Sequence, residues 1–172
     1  MPQPKLGHVT AITITTNDLD KSLAFYTKLG FKEVARYDFP FPWIQVSDGA
    51  LLVMLRKAET PAIALTYYAK DLDRVVDELE TTGIKFADKK DMGGIKRNVM
   101  VSPDGLNIAL VTWVETFVQP AGPTMLKMLQ EDYFTPAKYP NTTIGMFGEF
   151  AHPVKNLDAT ISFFEKLGFA KL

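Results

Sequence analysis

At 172 residues, 47% apolar and 23% charged, the chain is long enough for one substantial core plus an appendage and has ordinary globular composition, which excludes a disordered or fibrous protein. Its 19 basic and 20 acidic residues leave a formal charge of −1, so no strong field favours nucleic acid or an anionic membrane surface. There is no cysteine, which removes disulfides, thiolate nucleophiles and Cys-based zinc or iron–sulfur sites. The opening "MPQPKLGHVT" does not read as a secretory leader and no apolar run approaches a membrane span, so a cytoplasmic protein is expected.

In chain order, "VTAITITT" has the β-branched enrichment of a strand, and "NDLDKSLAFYTKLGF" (17–31) follows as a helix. A polar residue before Leu19 can cap it, Asp20 suits the positive end of the dipole, and Gly30 supplies a left-handed C-cap. Three strands come next, "FKEVARYDF", "PWIQVSD" and "ALLVMLRK", the last two joined at the turn signal Asp48-Gly49. The pattern then repeats: the strand "AIALTYYA", the helix "KDLDRVVDELETTGI" (70–84), and the strands "IKFADKK", "IKRNVMVS" and "LNIALVTW", with breaks at Gly93-Gly94 and Pro103-Asp104-Gly105. After a linker, in which Pro123 opens and Pro136 closes an amphipathic connecting helix, "MFGEFAHP" reads as a strand and "KNLDATISFFEKLGF" (155–169) as the helix once more. The three helix segments align without a gap. Their apolar residues, Leu19, Leu23 and Tyr26, then Leu72, Val76 and Leu79, then Leu157, Ile161 and Phe164, predict one buried face on each. The fold class expected is α+β: paired βαβββ modules over 1–115 (7–58 and 62–114) forming a curved, cleft-enclosing mixed sheet, a connecting segment over 116–143, and a partial third βα unit over 144–172.

These modules, with "LDKSLAFYTKLGF" after the first strand and "SPDGLNIALV" in the last hairpin, resemble the vicinal oxygen chelate superfamily of glyoxalase I, bleomycin-resistance proteins and extradiol dioxygenases. The resemblance covers about residues 7 to 113 as a complete pair. It implies a divalent metal held from the first and last strands of each module, at positions that fall here on Ile12, Met54, Leu65 and Ala109. None of these can bind a hard cation, because nickel, zinc or iron needs imidazole, carboxylate or thiolate donors. No metal or other cofactor is therefore expected. Side chains two residues away on a strand share its face, which adds Arg56, Tyr67 and Asn107 as polar handles in a mostly apolar cleft. Trp43, in the aromatic segment "DFPFPWIQ", is similar in place to a tryptophan of bleomycin-resistance-like members; it either stacks on a planar ligand or packs the core. Arg56 either binds an anion or carries its head to solvent.

Of the two histidines, His8 is expected at the surface, and His152 is expected to be a hydrogen-bonded structural residue, with a ligand role as the alternative. The leading expectation is a metal-free protein that binds a small organic molecule, with no nucleic-acid or membrane partner. A metal-dependent lyase, isomerase or dioxygenase with ligands elsewhere, and a ligand-free structural module, are the alternatives. A homodimer is expected, because superfamily members often build their site across a dimer and an unpaired strand at 146–153 would be a sticky edge.

Overall fold

A computed structural model describes residues 6–7, 9–48, 51–112 and 149–170. His8 and the expected connecting helix within 116–143 lie outside the described residues, as does the front of the expected strand at 146–153. Eight strands and three helices are present among the described residues, and the class is α+β. The chain divides into two compact units, one built on Ala11–Ile63 and the other on 64–112 with residues 6–7, 9–10 and 150–170.

The first module runs β1 (Val9–Thr16), α1 (Leu19–Lys28), β2 (Lys32–Tyr37), β3 (Trp43–Ser47) and β4 (Leu52–Lys57). Its strands lie in the order β2-β3-β4-β1, antiparallel except for the parallel β1–β4 pair. Parallel neighbours need a crossover, and α1 belongs to it. Ile44, Val46, Val53 and Leu55 point to the helix side, where Ile14, Leu19, Leu23 and Tyr26 close over them. Burying one such side chain fully stabilises by about 1.5 to 3 kcal/mol, so this cluster is the main cohesive term of the unit.

The second module repeats the plan with β5 (Ile63–Ala69), α2 (Leu72–Thr81), β6 (Phe86–Asp91), β7 (Lys96–Val101) and β8 (Asn107–Thr112), in the order β5-β8-β7-β6. Leu72, Val75, Val76 and Leu79 of α2 are buried against Met100, Ile108 and Leu110. The third helix, α3 (Leu157–Lys166), joins this same core, with Leu167 buried and Phe150, Phe163 and Phe164 packed against it.

The three helices end alike. At α1 the Gly30 amide donates to the Thr27 carbonyl and the Phe31 amide to the Tyr26 carbonyl, both at 3.0 Å, a Schellman closure. Gly83 with Ile84 and Gly168 with Phe169 repeat it on Glu80 and Leu79 and on Glu165 and Phe164. The closing glycines have φ of 96°, 83° and 94°, a left-handed conformation that a side chain disfavours. Each start is capped by a side-chain oxygen on the third residue along: Asp18 on Lys21, Asp71 on Arg74 and Asn156 on Ala159. The repeated motif is thus a self-contained helix with both ends satisfied.

Two expectations for the third unit need correction. Residues 149–153 form no strand, and Leu157 is 63% exposed instead of inward-facing. Leu157 is the first residue of α3 and lies outside the core, whereas Thr160, one turn on, is buried and its hydroxyl donates to the Asp104 carboxylate. Phe163, Phe164 and Leu167, further along the helix, pack on the core.

Candidate functional site

Register decides which side chains can meet. In the first module Ile12 pairs with Val53 and Ile14 with Leu55, on the helix side, whereas Thr13 pairs with Met54 and Thr15 with Arg56. Trp43 lies opposite Arg56 and Gln45 opposite Met54, while Tyr37 and Ala35 flank them on β2. The helix-free face of this module therefore carries two rows, Tyr37-Trp43-Arg56-Thr15 and Ala35-Gln45-Met54-Thr13.

In the second module Leu65 and Tyr67 pair with Ile108 and Leu110 and pack into the helix-side core. Asn107, Ala109 and Thr66 are on the opposite face. Ile12, Leu65 and Tyr67 are thus corrected as cleft residues: alternation along a strand is strict, and a one-residue offset in the carried-over positions moves a whole set to the other face. Tyr67 meets Phe169 edge-on, with ring centres 6.5 Å apart, and burial pushes its phenol up to about 12. Met54, Arg56 and Trp43 share the helix-free face of the first module, and Asn107 and Ala109 share one face of the second.

The first-module face has an aromatic side and a polar side. Trp43 is buried, stacks on Tyr37 at 4.6 Å between ring centres, and donates its indole N–H to the Phe39 carbonyl at 3.4 Å. The Arg56 guanidinium carbon sits 5.1 Å from the centre of the Phe41 ring, a cation–π arrangement. Its Nε is buried with no hydrogen-bond partner, and desolvation pulls its pKa below the ordinary arginine value, although guanidinium stays charged at any working pH. Thr15 is committed to structure: its hydroxyl donates to the Thr60 carbonyl at 2.7 Å and accepts the Ala62 amide at 2.5 Å.

Gln45 is the residue that the sequence reading passes over. It is 0% exposed, and neither its Oε1 nor its Nε2 has a protein partner. A buried polar atom without a partner costs about 1 to 3 kcal/mol, so the position is unusual in a strand whose five residues are all buried. The available signal is the glutamine in "WIQVS", between Ile44 and Val46, which belong to the core.

The metal that the resemblance implies does not fit this donor set. The helix-free faces present Ala11 and Thr13 on β1, Met54 and Arg56 on β4, Thr66 on β5 and Ala109 on β8. Thioether, hydroxyl and guanidinium groups are not the ligands that divalent first-row metals select. Among the described residues no group of three or more His, Cys, Asp or Glu side chains converges on one point. His152 is engaged elsewhere, its Nε2 lying 3.3 Å from the Asp104 carbonyl oxygen.

The family model of the Glyoxalase/Bleomycin resistance protein/Dioxygenase superfamily matches residues 5–110. The chain belongs to that superfamily. The match takes in the first module whole and the second as far as Leu110 in β8. No curated protein matches the chain by sequence. Among solved structures, homoprotocatechuate 2,3-dioxygenase from Arthrobacter globiformis superposes with a TM-score of 0.61 at 17% identity, covering 98% of this chain and 52% of that one. A catechol 2,3-dioxygenase gives 0.56 at 15% identity, covering 98% and 56%. A superfamily member from Vibrio splendidus 12B01 gives 0.45 at 16% identity, covering 61% and 98%. At these identities the likeness concerns the fold alone, and the chain spans about half the length of the two dioxygenases. No helix among the described residues is long and apolar enough to cross a membrane.

Proposed function

We propose that this superfamily member is a metal-free binding protein that holds a small organic molecule with a flat apolar body and an anionic group on the helix-free face of its first module. Arg56 carries the reading. Its Nε is buried without a partner beside Trp43 and Met54, so its charge is poised for an anion that no protein carboxylate supplies at that atom. The apolar and aromatic neighbours supply area for a flat body, and a charge-assisted hydrogen bond fixes its orientation. The mechanism is sequestration, with no nucleophile or general base required.

The test is titration of the protein with benzoate by calorimetry, in wild type and in Arg56→Met. The expected result is measurable binding to wild type and a loss of about tenfold or more in the variant, since a hydrogen bond to a charged group contributes about 1.5 to 3 kcal/mol. Equal binding to both proteins, with both folded, sinks the assignment of Arg56.

A further inference from the structure

We propose that Gln45 reads a second feature of the ligand: an amide-like edge that offers a hydrogen-bond donor beside an acceptor, in the same flat molecule whose anionic group Arg56 holds. The inference rests on the ligand-binding reading above and adds the ligand's class. Gln45 has no exposed surface, and its carboxamide oxygen and nitrogen are both without protein partners. A primary carboxamide presents its acceptor and donor in one plane, so a single partner edge satisfies both only if it carries the complementary pair. Glutamine and asparagine read the donor–acceptor edge of a purine in this way. A carboxylate alone leaves the Gln45 nitrogen bonded and sets its oxygen against another acceptor. A hydrocarbon edge leaves both atoms orphaned.

Position fixes how the two features are joined. Gln45 faces Met54, and Arg56 lies two residues further along the same strand, opposite Trp43. Two strand residues span about 7 Å, within reach of opposite ends of one ring system lying across Trp43 and Met54. Thr13 borders the Gln45 row through its partner Met54, with the threonine hydroxyl 3.7 Å from the methionine sulfur. The class that fits is a cyclic amide or imide carrying a carboxylate or another small anion. Because Gln45 is enclosed, an entering edge must displace the side chains around it, so association is slower than for a ligand that meets Arg56 alone.

Three probes separate the terms: orotate carries both an amide-type edge and a carboxylate, benzoate the carboxylate alone, and uracil the edge alone. Calorimetry on wild type is expected to give orotate an affinity about tenfold or more above benzoate, with uracil weaker than orotate. Gln45→Met is expected to remove the orotate advantage, leave benzoate binding in place, and raise the melting temperature of the unliganded protein by about 2 to 4 °C, because an orphaned amide is replaced by an apolar side chain of similar shape. Equal affinities for orotate and benzoate in wild type, unchanged in Gln45→Met, overturn the role of Gln45 and leave that of Arg56 standing. A lower melting temperature in Gln45→Met shows that the amide is satisfied inside the protein, by a trapped water or a neighbour, and also overturns it. Failure of all three probes to bind removes both readings.

Discussion

The Asp104 carboxylate, in the turn between β7 and β8, accepts the backbone N–H of Lys155 at 2.6 Å, across 51 positions of sequence. The same carboxylate accepts the Thr160 hydroxyl, and the neighbouring carbonyl meets His152. One acidic side chain thus ties the third helix and its approach to the second module. The Thr160 hydroxyl, followed by the Lys155 amide, holds the Asp104 carboxyl below its ordinary value of 3.8. A lowered carboxyl pKa means that the ionised form is favoured by folding, so the contribution is complete above the ordinary value and is lost as pH falls below it towards the lowered one. Hydrogen-exchange protection factors of α3 are expected to be level between about pH 5 and pH 7 and to drop below about pH 4. In Asp104→Ala they should be low across the range; protection equal to wild type would remove Asp104 as the tie.

Leu167 anchors the same helix from below. It is 1% exposed in the second core, so Leu167→Ala leaves a cavity and is expected to cost about 2 to 5 kcal/mol. Urea unfolding followed by circular dichroism measures this. A change under about 1 kcal/mol would mean that the third helix adds little to that unit.

Two glycines separate backbone strain from steric conflict. A Cβ at Gly83 meets nothing within 4 Å, so Gly83→Ala carries only the left-handed backbone penalty of about 1 to 2 kcal/mol. A Cβ at Gly7 would lie 2.5 Å from the Tyr68 carbonyl oxygen, so the chain must shift there. Gly7→Ala is expected to be the more destabilising of the two in parallel denaturation curves, and the reverse order would contradict the packing of Leu6 and Gly7 on β5.

Tyr67 offers a check on the two faces of β5. It belongs to the helix side, under Phe169, so Tyr67→Phe is expected to leave benzoate affinity within about twofold of wild type while removing a phenol that titrates near 12 in spectrophotometric titration. A large loss of affinity would place Tyr67 at the ligand after all.

The helices were legible because their signals are local. Asp18, Asp71 and Asn156 cap, Gly30, Gly83 and Gly168 close, and the spacing between them sets each helix at ten residues, so one motif could be read three times. The face of a strand is a subtler property. In "VTAITITT" both parities carry β-branched residues, and only the pairing of Ile14 with Leu55 under α1 reveals that Ile12 points to the helix and Thr13 away from it. At α3 the expected apolar face holds at Phe164, whereas Leu157, at the first position of the helix, is exposed and Thr160 is buried with its hydroxyl on Asp104, a tertiary contact that the spacing of apolar residues does not carry. Arg56 and Trp43 could be found from residue type and position, whereas Gln45 looks like an ordinary polar residue until its burial and lack of partners are known.

Metal-free binding is checked by elemental analysis of protein purified without a histidine tag or added chelator. Nickel, zinc, iron and manganese are each expected far below one per chain, because Thr13, Met54, Thr66 and Ala109 supply no suitable donors. Near-stoichiometric content of any one of them would contradict metal-free binding and make a metal-dependent enzyme the leading description.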